Sequence, residues 1–315
     1  MKNSLLLLFC FFIFSCTKSD PDTPPDEPNP PVITDPGNPA GWNKISQSFS
    51  KPVYDISFIT PAKGFMTTAD SFYTSTDSGF SWKTIPNDNL QLYTIKFTDN
   101  LHGYSIGEKS YGYTFNGGDS WTWKKTNFTA VDVQFLTPEN GFAPALEGFF
   151  STNDAGISWT KVNTLSYPFL SVYMFDLQNG IAGTNDGKIL KTINGGKDWA
   201  LVKNTTPDYI HKVIFTDAIN GWCTSGDSSL IKSTDSGNTW TIKRLPEKPF
   251  DLQFLSSGPG YLTATNYVYK STDNGISWQQ DLHVPLKRFV EIFFIDEKFG
   301  WVSTQQGDIY RYRKP

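Results

Sequence analysis

Five titratable residues hold one place in a repeated pattern: Asp55, Asp132, Lys212, Asp251 and Glu291 each stand three residues before a recurring phenylalanine. Carboxylates gathered at equivalent positions could act as a general acid and base, hold a cation, or raise one another's pKa by repulsion. With Lys212 among them, they could equally be the polar lining of a watery channel mouth. Other reactive groups are sparse. His102, His211 and His283 never share the spacing of a metal-binding pair, so no metal site is expected. Cysteine occurs only at Cys10, Cys16 and Cys223, with no Cys-x-x-Cys pair. Cys223, inside Gly221-Trp222-Cys223-Thr224, reads as a buried thiol with no activating neighbour. No cofactor is expected.

The elements that carry these residues repeat. Phe58, Phe97, Phe135, Phe175, Phe215, Phe254 and Phe294 recur about every 39 residues, as do Gly64, Gly103, Gly141, Gly180, Gly221, Gly260 and Gly300. An apolar residue two before each Phe (Ile56, Ile95, Val133, Tyr173, Val213, Leu252, Ile292) gives the period of a strand. Six copies of a third motif follow in phase, from Ser75-Thr-Asp77-Ser-Gly79-Phe-Ser81-Trp82 to Ser271-Thr-Asp273-Asn-Gly275-Ile-Ser277-Trp278. At its centre stand Asp77, Asn116, Asp154, Asn194, Asp235 and Asp273. An Asp or Asn there accepts backbone N–H bonds two or three residues on, and the Gly supplies positive φ for a tight hairpin. Calcium binding fits worse. Each motif offers one carboxylate at that place, two offer only Asn, and calcium wants six or more oxygens.

Four short antiparallel strands per ~40 residues, seven times over, predict an all-β fold: a seven-bladed β-propeller of four-stranded blades spanning 41–315. The ends settle the count. Gly41-Trp42-Asn43-Lys44-Ile45 matches a fourth strand with no blade before it, and the last blade has three strands (Glu291–Phe294, Gly300–Ser303, Ile309–Arg313) and no turn motif. An N-terminal outer strand therefore joins the C-terminal blade and closes the ring.

The first forty residues are of another kind. Leu5 through Phe14 is an apolar run too short to span a bilayer as a lasting helix, behind a start carrying Lys2. Its end, Ile13-Phe14-Ser15-Cys16, resembles the lipobox of bacterial lipoprotein signals. The resemblance implies a signal peptide over 1–15, lipidation at Cys16 and attachment to a membrane of the cell envelope. Residues 16–40 then form a tether with eight prolines and five acids, extended like polyproline. At ~3.1 Å per residue it reaches roughly 75 Å. The formal net charge of −4 argues against nucleic-acid binding, which needs a basic surface. Much of that charge lies in the tether, so the body is near neutral.

The turn motif resembles the Asp-box, or bacterial neuraminidase repeat. Sialidase activity, which that likeness raises, needs three arginines and an Arg-Ile-Pro motif. This chain has four arginines, Arg244, Arg288, Arg311 and Arg313, none in the first four blades, and no such motif. Asp-box glucanases use a cleft between two propellers, and one is present here. Over 41–315 the repeat resembles the photosystem II stability and assembly factor family; Ile189-Leu-Lys-Thr192-Ile-Asn-Gly-Gly196-Lys-Asp-Trp199 is its best copy. That family implies a seven-bladed scaffold holding a membrane-protein intermediate through an arginine-rich surface. A photosynthetic role is not carried over.

Loops between blades are a second candidate surface, since rigid strands present them together. Tyr167, Phe169, Tyr209, His211, Arg288 and Phe289 could stack on a sugar or anchor a peptide. The expectation is a lipid-anchored, monomeric cell-envelope propeller acting as a non-catalytic scaffold for a protein or glycan partner. The alternative is a carbohydrate-active enzyme using the channel-mouth carboxylates.

Overall fold

Period-two alternation broken by Gly and Asp/Asn turns yields 28 short strands among the described residues, paired into seven four-stranded antiparallel sheets. The computed structural model describes residues 41–162, 167–204 and 208–314; the expected signal, Cys16 and the tether lie outside the described residues. Six blades are continuous in sequence, the first running from Val53–Phe58 to Lys83–Ile85. The seventh joins Phe289–Phe294, Phe299–Thr304 and Ile309–Arg313 to Trp42–Lys44, with Trp42 opposite Tyr312 and Lys44 opposite Tyr310. Its inner strand packs on that of the first blade, closing a β-propeller ring.

Glycine and phenylalanine keep phase because one makes room for the other. The last residue of each inner strand pairs with the first Gly of the next: Phe58 with Gly64, Phe254 with Gly260, Phe294 with Gly300. A Cβ on Gly64 would lie 2.5 Å from the Phe58 ring, so only glycine leaves the slot. The filled ring then meets an aromatic of the preceding blade. Phe58 stacks on Trp301 at 3.5 Å, Phe135 on Tyr104 at 3.7 Å and Phe294 on Tyr261 at 3.7 Å.

Blade four corrects the expected series. Met174, not Phe175, pairs with Gly180, and Val172, not Tyr173, fills the apolar place before it. The slot confirms this: a Cβ on Gly180 would stand 2.2 Å from the Met174 sulfur. Flexible Met fills the space that a ring takes elsewhere.

Each turn motif is a hydrogen-bonded unit between the third and fourth strands. In the first, Ser75 Oγ donates to Asp77 Oδ1 (2.8 Å), while Asp77 accepts from Ser81 N (2.9 Å) and Ser81 Oγ (2.6 Å). Asn194 conserves the geometry with its polarity reversed, its Nδ2 donating to Asp198 Oδ2 at 2.9 Å. Bonds from Thr239 hold the Asp235 carboxyl down at about 2, and those from Ser277 do the same for Asp273. These turns lie beside the hairpins joining first and second strands, as Gly117 N to Leu101 O (2.9 Å) and Ser236 N to Ile219 O (3.0 Å) show. Loops between blades lie at the other end of the strands.

Trp42 takes the place that a turn tryptophan has in other blades. Its ring meets Phe294 edge-on at 5.8 Å, as Trp82 meets Phe58 at 5.7 Å, and its Nε1 donates to Asp281 Oδ2 at 2.7 Å. Lys44 and Lys287 both reach Asp308, at 2.8 and 2.6 Å, so one carboxylate ties three segments at the closure.

Candidate functional site

The inner strands do not run straight into the channel mouth. Each carries one extra residue near its start. The pairing skips between Val53 and Asp55, Leu92 and Thr94, Phe169 and Ser171, Ile210 and Lys212, Pro249 and Leu252, and Phe289 and Glu291. In blade three, three residues separate the Ala130–Ala145 bridge from the Gln134–Phe142 pair, against two on the partner strand. Pro144 there has no N–H to offer the ladder. Bulges re-aim side chains beside sites. The extra residues are Tyr54, Tyr93, Val131, Leu170, His211, Phe250 and Val290, a largely apolar and aromatic set. Neighbours in the set touch across blades: Tyr54 meets Tyr93 at 5.6 Å, and His211 meets Phe250 at 5.6 Å. Sequence reasoning named only His211 of this rim, because a bulge is a change of parity that no residue type announces.

One residue further on, the expected charged residues do share a ring, completed by Thr94 and Ser171. Its side chains are committed. Asp55 is 3% exposed and accepts from Thr94 Oγ1, from Ile95 N (2.9 Å) and from Lys96 Nζ (2.9 Å), all on the next blade. Ser171 Oγ accepts from Val213 N at 3.1 Å, and Asp251 Oδ2 from Ile292 N at 3.1 Å. Asp132 accepts from Ser171 Oγ at 3.1 Å. Two residues on, Gln134 and Gln253 repeat the device: each exchanges two bonds with the next blade's backbone, at Met174 and Phe294. The ring staples five of the seven blades to their successors.

Lys212 pairs with Asp251 at 3.2 Å. Burial favours its neutral form, but Asp251, Asp132, Glu291 and Asp55 outweigh that and raise its pKa. Lys96, absent from the expected set, behaves alike beside Asp55. A cavity of about 490 Å³ opens below the ring, lined by Lys96, Tyr173, Lys212, Asp251, Gln253 and Glu291 among others. Among the described residues no group of three His, Cys, Asp or Glu is placed to hold a metal ion.

Glu291 is the exception in the ring. Burial, then the nearby Asp251 and Asp55, push its carboxyl well above the usual range, with Lys96 and Lys212 opposing, and it hydrogen-bonds Asp251. Folded protein therefore keeps a proton that the unfolded chain loses above pH 4.5. Stability from this group is fully present below that pH and is lost as pH rises. Glu291→Gln keeps the hydrogen-bonding shape without the proton. Its urea midpoint should match the parent at pH 4.5 and exceed it at pH 8; equal slopes for both proteins between these values would refute the assignment.

The loop candidates divide. Phe169 and Phe289 open inner strands and are fully buried, Phe169 against Phe149 and Trp199, Phe289 against Tyr310, so neither is presented to a partner. Tyr167 and Tyr209 are half-buried between blades. His211 belongs to the rim, and the Arg288 guanidinium stacks 4.3 Å over the Phe250 ring. Burial, then Arg288, hold the His211 imidazole neutral, its pKa lowered to about 3. Cys223 is a buried free thiol whose pKa burial raises, as its strand position suggested.

The chain is similar in fold to several solved propellers. YCF48 bound to a D1 peptide superposes with a TM-score of 0.73 at 20% identity, over 87% of this chain and 97% of that one. The WD40 propeller of Doa1 gives 0.72 at 11% identity, over 87% and 96%. The extracellular domain of the putative hybrid two-component system BT4673 from B. thetaiotaomicron gives 0.70 at 14%, over 87% and 40%. No protein-family model matches the chain, and none of the curated proteins does.

Proposed function

We propose that the chain is a lipid-anchored cell-envelope protein whose propeller is a non-catalytic scaffold, binding a segment of a partner protein at the channel mouth. The observation that carries the reading is the contrast between two adjacent rings. The Asp55, Asp132 and Asp251 carboxylates are spent on inter-blade bonds, while the bulges add half-buried Tyr54 and Leu170 beside them, backed by His211 and by the buried Tyr93 and Phe250. A rim of aromatic and apolar side chains on a rigid ring suits an extended peptide. YCF48, whose fold is similar, is a protein solved with a peptide bound, which supports a peptide as the class of ligand.

The test is affinity capture from the source envelope with the full chain and with Tyr54→Ser/Leu170→Ser. Both sites are half-buried, so the variant should fold. The parent should retain a protein partner that the variant retains at least ~10-fold less, as expected for losing two interface anchors. Equal capture by both would remove the rim from the reading. Binding on a glycan array, with no protein captured, would move the ligand to a sugar. Turnover of a glycan, abolished by Asp132→Asn or Asp251→Asn, would overturn the scaffold altogether. Anchoring is read separately: Cys16→Ser should release the protein from membranes.

A further inference from the structure

The turn motifs and the inner hairpins share one face of the ring, and the chain enters the ring there. Arg313 N donates to Gly41 O, and Lys314 N to Lys298 O in the last inner hairpin. This face holds eight of the eleven large apolar side chains left exposed among the described residues. Five lie in turn motifs: Phe80, Phe115, Ile157, Ile193 and Ile276. Three lie in hairpins: Leu101, Leu177 and Ile219. Ile193 and Ile276 are 72% and 70% exposed. Single exposed apolar residues scattered over a surface carry no message, but confinement to one flat face does.

We infer that this face lies on the surface of a zwitterionic lipid bilayer. The inference rests on the anchor reading, because residue 41, where the expected tether would join the ring, lies on this face. Charge selects the lipid. The hairpins contribute Asp99, Asp176, Asp217 and Asp296, the turns add six more aspartates, and bases such as Lys63 and Lys197 are few. An anionic headgroup layer would repel this face within a Debye length. The hairpin carboxylates are also held back by their own loops. Asp217 accepts from Ile219 N and Asn220 N, both at 2.7 Å, and Asp99 from Leu101 N and His102 N at 2.7 and 2.8 Å. The carboxylate folds onto the turn while the apolar neighbour is left exposed. The loop face with the bulged rim then points away from the lipid, open to a partner.

The experiment uses the full chain in phosphatidylcholine vesicles whose acyl chains carry bromine. A genetically encoded fluorescent residue takes the place of Ile193, of Ile276 or, on the opposite face, of Leu286, a site 91% exposed, so that Cys10, Cys16 and Cys223 carry no dye. The first two labels should lose roughly half their emission, as side chains entering the headgroup boundary do, while the third keeps its own. Replacing part of the lipid with phosphatidylglycerol should reduce the loss. Three labels that all stay bright, or all dim alike, overturn the inference; all-bright labels leave the face to a protein partner. The mass of Cys16 in the same samples reads the anchor independently. Dimmed turn labels on a chain with unmodified Cys16 retain the docking and remove the anchor; bright turn labels on an acylated chain do the reverse.

Discussion

Deleting residues 41–46 should remove most of the stability of the propeller, not merely loosen one blade. Trp42 is 2% exposed and bonded to Asp281, Ile45 is 4% exposed, and Lys44 is one of two cations on buried Asp308. Truncating a buried Trp alone costs ~3–5 kcal/mol. A typical domain has only ~5–15 kcal/mol in total. The deletion adds an exposed edge along Ile309–Arg313, which invites pairing with another chain. Trp42→Ala should lower the urea midpoint by about the single-residue cost, and the deletion should leave little cooperative transition. A truncated body that unfolds with the full chain would show that the outer strand is ornamental.

The second large effect is expected at Asp55. Its carboxylate collects three donors from the next blade, one of them a lysine. Removing one member of a buried pair costs ~3–5 kcal/mol because the other is left uncompensated. Lys96 keeps about a third of its side chain open to channel water, so Asp55→Ala should fall at the lower end, about 3 kcal/mol. Asp55→Asn retains an acceptor for Ile95 N and should cost less. Urea titration of both variants decides it. If Asp55→Ala unfolds like the parent, the ring carboxylates are free groups and acid–base chemistry at the mouth returns to contention.

Blade count, the split blade and the role of Trp42 were legible because they depend on spacing, which a ring of equal blades must keep. The phase of blade four was not. In Val172-Tyr173-Met174-Phe175 both parities hold large side chains, and only the space beside Gly180 selects Met174. That slip hid Ser171 as a ring member. Phe169 and Phe289 looked like loop residues for a related reason. Each stands five residues before a Gly-paired position, where Val53, Leu92 and Ile210 stand in other blades, and that place is buried throughout. The rim stayed illegible because bulging depends on how strands curve toward the axis, not on which side chain is inserted.

Pairing Trp42–Lys44 with Ile309–Arg313 also sets a clock. Trp42–Lys44 leave the ribosome before every other described strand and have no partner until the final strand has been made, so the ring cannot lock during synthesis. For a chain that has to reach the cell envelope, that delay is useful: a chain carried across a membrane before it folds would lock only after its last blade has crossed.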